Sequence, residues 1–214
     1  MTTTESKDRI YRSPAGIAGG VLLLGLAGWL GIDAIVAGDG RTPWLALATL
    51  LLVVPLVTAF TLRPAVSANE DRLRVRNPFR VIVLPWGEIA SLRSGYSNEV
   101  VAKSGTKYQL WAVPVSLRAR KRAARRESRR AAELSRGGGG RERGLGGFGG
   151  ASAALPDAPV RAQADQIMDE LRELLENREQ AETAQGRVSV RWAYEIAGPA
   201  VAGAVLLAVL LAVG

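Results

Sequence analysis

The chain has 214 residues and a net charge of +8, with 48% hydrophobic and 22% charged residues. It contains neither cysteine nor histidine, which excludes disulfides, thiolate or imidazole metal sites and histidine-based catalytic triads. Apolar and charged residues are concentrated in separate blocks, a pattern that favours a membrane protein with a soluble part over a single soluble core.

Three uncharged apolar runs, residues 13–32, 42–62 and 196–214, are each long enough to cross a bilayer as a helix. A bilayer core of about 30 Å requires roughly 20 apolar residues, and the predicted spans are residues 13–37, 42–62 and 192–213. Pro55 in the second run is tolerated, because neighbouring helices can satisfy the backbone groups it frees. A signal peptide is the alternative interpretation of the first run. That run exceeds the apolar length of a signal peptide and a second span follows at once, so a retained hairpin is favoured.

Basic residues predict the orientation of these spans. Residues 1–12 carry three of them, Arg63 follows the second span, and Arg187 and Arg191 precede the third. The loop between the first two spans carries a single Arg. The positive-inside rule therefore predicts a multi-pass protein of the cell membrane. Its N-terminal tail and whole middle region are expected in the cytoplasm, with the C-terminus outside.

The first span contains two features with competing interpretations. Gly16 and Gly20 have the small-xxx-small spacing of close helix contacts. Glycine is common in membrane helices, and a pair without a contact is the favoured interpretation. Asp33 is a carboxylate near the outer end, where an intramembrane acid is a functional hypothesis. Its position beside a Gly-rich loop favours the headgroup level instead.

Residues 63–115 are predicted to form a small β domain. Leu73 and Val75 alternate with three arginines, the period-2 pattern of a half-buried strand. Turn signals at Asn77-Pro78, Ser97-Asn98 and Ser104-Gly105 divide the segment into about six short strands, typical of a small antiparallel barrel or sandwich. The outward arginines are interpreted either as a solvated strand face or as contacts to anionic lipid headgroups. They are Arg72, Arg74 and Arg76.

Residues 116–156 are a basic helical stretch followed by a Gly-rich linker. Residues 116–136 hold nine basic and two acidic residues, a net charge of +7. Lipid, a solvated spacer, and an acidic protein or nucleic acid are the alternatives. The segment lies between two membrane anchors, so an anionic leaflet is the nearest polyanion and lipid is favoured over nucleic acid. The expected contacts are Arg118, Arg120, Lys121, Arg122, Arg125, Arg126, Arg129 and Arg130.

Residues 157–180 have the pattern of an amphipathic helix with one apolar stripe. The stripe is too continuous for a free linker, and we expect it to pack on the open end of the β domain. Its members are Val160, Ala164, Ile167, Leu171, Leu174 and Leu175. Residues 180–186 are predicted to be a polar tether to the third span.

The motif Arg80-Val-Ile-Val-Leu-Pro-Trp-Gly-Glu-Ile89, followed by a closing strand at residues 108–112, gives the β domain a family resemblance. It resembles the PH-like domain of actinobacterial membrane proteins named after a low-molecular-weight protein antigen. The residues that carry the resemblance are Pro85, Trp86, Glu88 and Ile89. The resemblance implies a bent, partly open antiparallel barrel capped by one C-terminal amphipathic helix. Residues 116–156 are then an insertion, and the family supplies neither a catalytic residue nor an agreed ligand.

The sequence predicts no enzyme and no cofactor. It contains no GxSxG, Walker A or HExxH motif, and its Gly-rich stretch does not open a helix after a strand, as a phosphate-binding loop does. We therefore expect a non-enzymatic interaction or scaffold module at the inner membrane face, with the basic insertion on anionic lipid. The alternative is a membrane-anchored adaptor that binds a protein partner through its PH-like domain, with the insertion as a passive spacer.

Overall fold

The computed structural model of the protein describes residues 8–113 and 157–213, and the basic insertion, residues 116–156, lies outside this part. Four α-helices are present in it: α1 (Pro14–Val36), α2 (Thr42–Val57), α3 (Asp157–Arg178) and α4 (Tyr194–Ala212). The eight strands are β1 (Arg9–Tyr11), β2 (Ala65–Ala68), β3 (Arg72–Arg76), β4 (Arg80–Pro85), β5 (Ile89–Ser94), β6 (Asn98–Ala102), β7 (Lys107–Gln109) and β8 (Ser189–Trp192).

Three of the helices are long and apolar enough to cross a membrane, at Pro14–Val36, Thr42–Leu62 and Tyr194–Ala212. The first starts where the Ser13 side chain accepts a hydrogen bond from the backbone N–H of Gly16, with Pro14 at the first helical position. The second contains Pro55 and continues beyond Val57 as a π-helical turn. The predicted three-helix membrane part is therefore confirmed in helix length and composition.

Glycines allow the membrane helices to pack closely, with α2 in contact with both α1 and α4. A Cβ on Gly20 would collide with the side chain of Thr61, and a Cβ on Gly203 would lie 2.5 Å from the backbone nitrogen of Leu52. Gly16 also faces Thr61, whose carbonyl oxygen would lie 3.5 Å from an added Cβ. The favoured interpretation of Gly16 and Gly20 as a pair without a contact is therefore wrong.

The β domain consists of two antiparallel sheets. The first has the strand order β1-β2-β3-β4-β8 and the second the order β5-β6-β7. A 3₁₀ turn at Trp86–Glu88 carries the chain from one sheet to the other. No strand pairing joins the sheets in the described ranges, so the barrel is not closed, whereas the antiparallel pairing is as predicted.

Helix α3 packs against β5 and the 3₁₀ turn, and shares one apolar core with both sheets. Its stripe is buried as expected at Ala164, Ile167, Leu171 and Leu175, with Leu174 half-buried, while the side chain of Val160 lies outside the described ones. Met168, which the sequence pattern missed, is also fully buried. The sheets contribute mainly alternate β-strand residues, including Val66, Leu73, Val75, Ile82, Leu84, Ile89 and Val100.

Two segments expected outside the β domain are part of it. Residues 9–11 of the predicted tail form β1, in which Ile10 pairs with Ser67 of β2. Trp192, predicted to begin the third span, ends β8, which pairs with β4. Isolated residues next to a long apolar run carry little strand signal of their own, and pairing with an existing sheet edge supplies the missing stability.

Two further local predictions are corrected by packing. The predicted tether at residues 180–186 contains fully buried Ala184, and the Gln185 amide donates to the carbonyl oxygen of Glu179 at 2.8 Å. Asn98, predicted as a turn residue, begins β6 and is 5% exposed. Its amide group donates to the carbonyl oxygen of Val113 at 3.0 Å, which satisfies the buried side chain.

Candidate functional site: an arginine-lined cleft between sheet and membrane helices

The sheet and the membrane helices meet at one end of the helical bundle. β1 runs directly into α1, β2 follows the C-terminal end of the second span, and β8 runs directly into α4. Both edge strands of the five-stranded sheet therefore come from segments that adjoin a span. β1 and the two sheets therefore lie at the same end of the helices, as the basic residues predict for the segments to which they belong.

Several contacts hold β8 and the β domain against the helix ends. The Arg80 guanidinium lies over the Trp192 ring, 4.1 Å from its centroid, and the backbone N–H of Ala193 donates to Phe79 at 2.9 Å. Phe60, in the last turn of the second span, packs with its ring centroid 5.5 Å from those of Phe79 and Trp111. The domain therefore rests on the membrane helices through side chains as well as through the chain connections.

Tyr11 connects β1 to helix α3. Its hydroxyl donates to the Glu170 carboxylate of α3 at 2.5 Å. Burial of the phenol, followed by this contact with Glu170, raises the pKa of Tyr11 to about 12. The N-terminal strand is thus anchored to α3 as well as to β2.

The outer face of the five-stranded sheet carries a row of arginines. Leu73 and Val75 of β3 point into the core, which leaves the three arginines of β3 exposed on the opposite face. Across the sheet, Arg76 pairs with Val81 of β4, and Val81 pairs with Arg191 of β8. Side chains directly opposite on one face of a sheet lie about 5 Å apart at Cβ, so Arg76 and Arg191 flank Val81 closely.

A cleft of about 450 Å³ opens where this face meets the helix ends. Four arginines and a single carboxylate line it, so the lining carries an excess of positive charge. The lining residues are Arg63, Arg74, Arg76, Val81, Val83, Arg191, Trp192 and Glu195. Arg63 directly follows the second span, and Glu195 lies in the first turn of α4, which places the cleft at the boundary between apolar helices and polar domain.

Arg63 is the most enclosed cation of the cleft, with a side chain 15% exposed. Its terminal nitrogen Nη2 lies 2.9 Å from the Glu195 carboxylate, which is itself 63% exposed. Its Nε–H is buried and has no acceptor among the described residues. A buried donor of a charged group without an acceptor is costly. The four arginines of the lining present N–H donors in a planar fork that suits a bidentate oxyanion.

The predicted contact residues fall into three groups. Arg74 and Arg76 line the cleft, and Arg72 lies on the same face but outside the lining. The eight basic residues from Arg118 to Arg130 lie outside the described residues. Sequence reasoning used Arg63 and Arg191 only to orient the spans. Both residues adjoin a span at the same end of the helices, and this shared position could have predicted that they lie close together.

The family motif is structural. Trp86 is fully buried, and its indole N–H donates to the backbone oxygen of Asn69 at 2.8 Å. Pro85 ends β4, Ile89 begins β5 in the core, and the backbone oxygen of Glu88 accepts a hydrogen bond from Lys103 at 2.8 Å. These residues build the corner between the two sheets.

Residues 63–137 match a family model described as a bacterial PH domain. This part of the chain is a bacterial PH domain. The match begins directly after the second span and ends at residue 137, within the insertion of residues 116–156 and before α3. The PH domain core nevertheless includes apolar residues of α3, as described above. No curated protein and no solved structure matches the chain.

No group of three acidic side chains able to hold a metal ion occurs in the described ranges. Asp33 is exposed near the end of α1, at the far side of the helices from the sheet. The arginine-lined cleft is therefore the feature of the described structure with the clearest chemical preference, which is for an anion.

Proposed function

We propose that the protein is a non-enzymatic, membrane-anchored interaction module whose PH domain stays at the inner surface of the cell membrane and contacts anionic lipids. The outer arginine face of β3 and the basic segment of residues 116–136 supply these contacts. The proposal rests on the two edge strands of the five-stranded sheet, β1 and β8, which come from segments that adjoin a span. Each is continuous with a span, so the domain is held at the surface where the span ends.

Electrostatics supports the lipid as the partner. Each Lys or Arg near an anionic surface contributes about 1 kcal/mol, and this attraction falls off within a Debye length of about 8–10 Å. A domain tethered through both sheet edges keeps Arg72, Arg74 and Arg76 within reach of the headgroups. The alternative, an adaptor for a protein partner with the basic segment as spacer, does not require any lipid preference.

The test is the lipid composition around the full chain. The protein is reconstituted into vesicles of mixed phosphatidylcholine and phosphatidylglycerol and extracted with its surrounding lipids in polymer nanodiscs. Enrichment of phosphatidylglycerol that falls with added salt is expected.

The triple variant R72S/R74S/R76S should reduce this enrichment, and R93S serves as the matched control because Arg93 is exposed on the other sheet. If the lipids extracted with the wild-type protein have the same composition as the whole vesicle membrane, the lipid contact is refuted. Co-purification of a partner from mild detergent would then favour the adaptor.

A further inference from the structure

We propose that the cleft between the sheet and the helix ends is a discrete binding site for the phosphate group of one anionic phospholipid. This inference rests on the proposed function and deepens it, because it replaces a diffuse charge contact by one site of defined composition. The site consists of Arg63, Arg74, Arg76 and Arg191, around an apolar floor of Val81 and Val83.

The cations come from three different parts of the chain. Arg74 and Arg76 are fixed by β3, Arg191 by β8, and Arg63 by the end of the second span. Strand pairing places Arg76 and Arg191 on either side of Val81, so their guanidinium groups approach one anion from two sides. Arginine presents several N–H donors in a planar fork that matches the oxygens of a phosphate.

The interior of the site is only partly neutralised. Glu195 is the single acid in the lining, and it pairs with one nitrogen of Arg63. An oxyanion in the cleft balances the positive charge that Glu195 leaves on the four arginines.

The position of the cleft selects a lipid rather than a soluble phosphate. Arg63 follows an uncharged span of 21 residues, and Glu195 lies in the first turn of a third apolar helix. Phospholipid phosphates lie at this boundary between the hydrocarbon core and water. The valine floor and the exposed Trp192 suit the glycerol and proximal acyl part of the same molecule, because aromatic side chains favour the headgroup level.

The experiment measures lipid binding to the full chain in detergent. Native mass spectrometry counts retained lipids after titration with phosphatidylglycerol or phosphatidylcholine, and thermal unfolding provides a second measurement, because a ligand of the folded state raises its stability. One phosphatidylglycerol should be retained in preference to phosphatidylcholine. R76S and R191S should each weaken its binding about tenfold, since each removes a charge-assisted hydrogen bond. R93S is the control and should bind as wild type.

Two further variants test the composition of the site. E195Q should bind the lipid more tightly than wild type, because it removes the carboxylate that competes for Arg63. R72S should retain the single tight lipid, because Arg72 lies on the same face outside the cleft. A loss in R72S equal to that in R191S would overturn the discrete site while leaving the diffuse lipid contact intact.

Two other results would also overturn the assignment. If inorganic phosphate raises the thermal stability of the protein at least as much as phosphatidylglycerol does, the ligand is a soluble anion. Equal retention of phosphatidylglycerol and phosphatidylcholine by wild type would refute both the site and the lipid contact of the proposed function.

Discussion

Substitution of Leu171 by alanine tests whether α3 is part of the PH domain core. Leu171 is fully buried, and α3 packs against β5 and the 3₁₀ turn that contains Trp86. The family match ends at residue 137, so the contribution of α3 rests on the packing alone. A large-to-small change at such a position costs the lost burial plus the cavity left behind.

The expected loss is about 3 kcal/mol, within the range of about 2–5 kcal/mol for buried Leu→Ala changes. Domains have unfolding free energies of about 5–15 kcal/mol, so this loss is a large fraction of the total. The midpoint of thermal unfolding should fall by roughly 6–12 °C, at about 2–4 °C per kcal/mol for a chain of this size.

Thermal unfolding of the full chain in detergent, followed by tryptophan emission, measures the change. Trp86 is fully buried and should shift its emission to longer wavelength when the core opens. Glu173→Ala is the matched control on the exposed face of the same helix, with an expected effect within about 0.5 kcal/mol. Equal midpoints for L171A and E173A would show that α3 does not belong to the core.

Three further predictions follow from single contacts. G203L should weaken the helical bundle in denaturant titrations, by about 1–3 kcal/mol, because its side chain meets the backbone of α2, while G198L, on the open side of α4, should not. N98A should lower the unfolding free energy by about 1–3 kcal/mol, because it leaves the buried carbonyl of Val113 without its donor; an unchanged denaturation midpoint would contradict this. The phenol of Tyr11 should ionise near pH 12. This ionisation is measured as the pH-dependent difference in ultraviolet absorbance between wild type and Y11F. Because the folded pKa of Tyr11 is raised, the stabilisation that the neutral phenol provides should be complete below pH 10 and lost as the pH rises to about 12; ionisation near pH 10 would refute the contact with Glu170.

The elements that the sequence predicts well are those with a strong period of their own. The spans were located because each presents about 20 apolar residues without a charge. β3 was located by strict alternation, and the buried stripe of α3 by helical spacing. In these segments the local pattern and the final packing agree, so local reasoning is sufficient.

The elements that were missed are stabilised mainly by partners distant in sequence. β1 has three residues and gains its pairing from β2, which follows two spans later in the chain. β8 similarly joins β4 across more than 100 residues. The cleft depends on both the β8 pairing and the helix ends, so Arg63 and Arg191 had no local signal as binding residues. The glycine contacts of α1 depend in the same way on the position of Thr61 in another helix.

The pairing of β8 with β4 is the arrangement on which the proposed lipid site depends, because it places Arg191 across Val81 from Arg76. The chain has no cysteine, so the pair V83C/S189C can be introduced without competing thiols. Val83 and Ser189 are register partners, at a separation that suits a disulfide, whereas V83C/R191C is a diagonal pair about 7–8 Å apart. In membranes, oxidation should crosslink the first pair rapidly and the second poorly. Absence of the crosslink in V83C/S189C, or equal crosslinking of both pairs, would contradict the docking of β8 and with it the arginine-lined site.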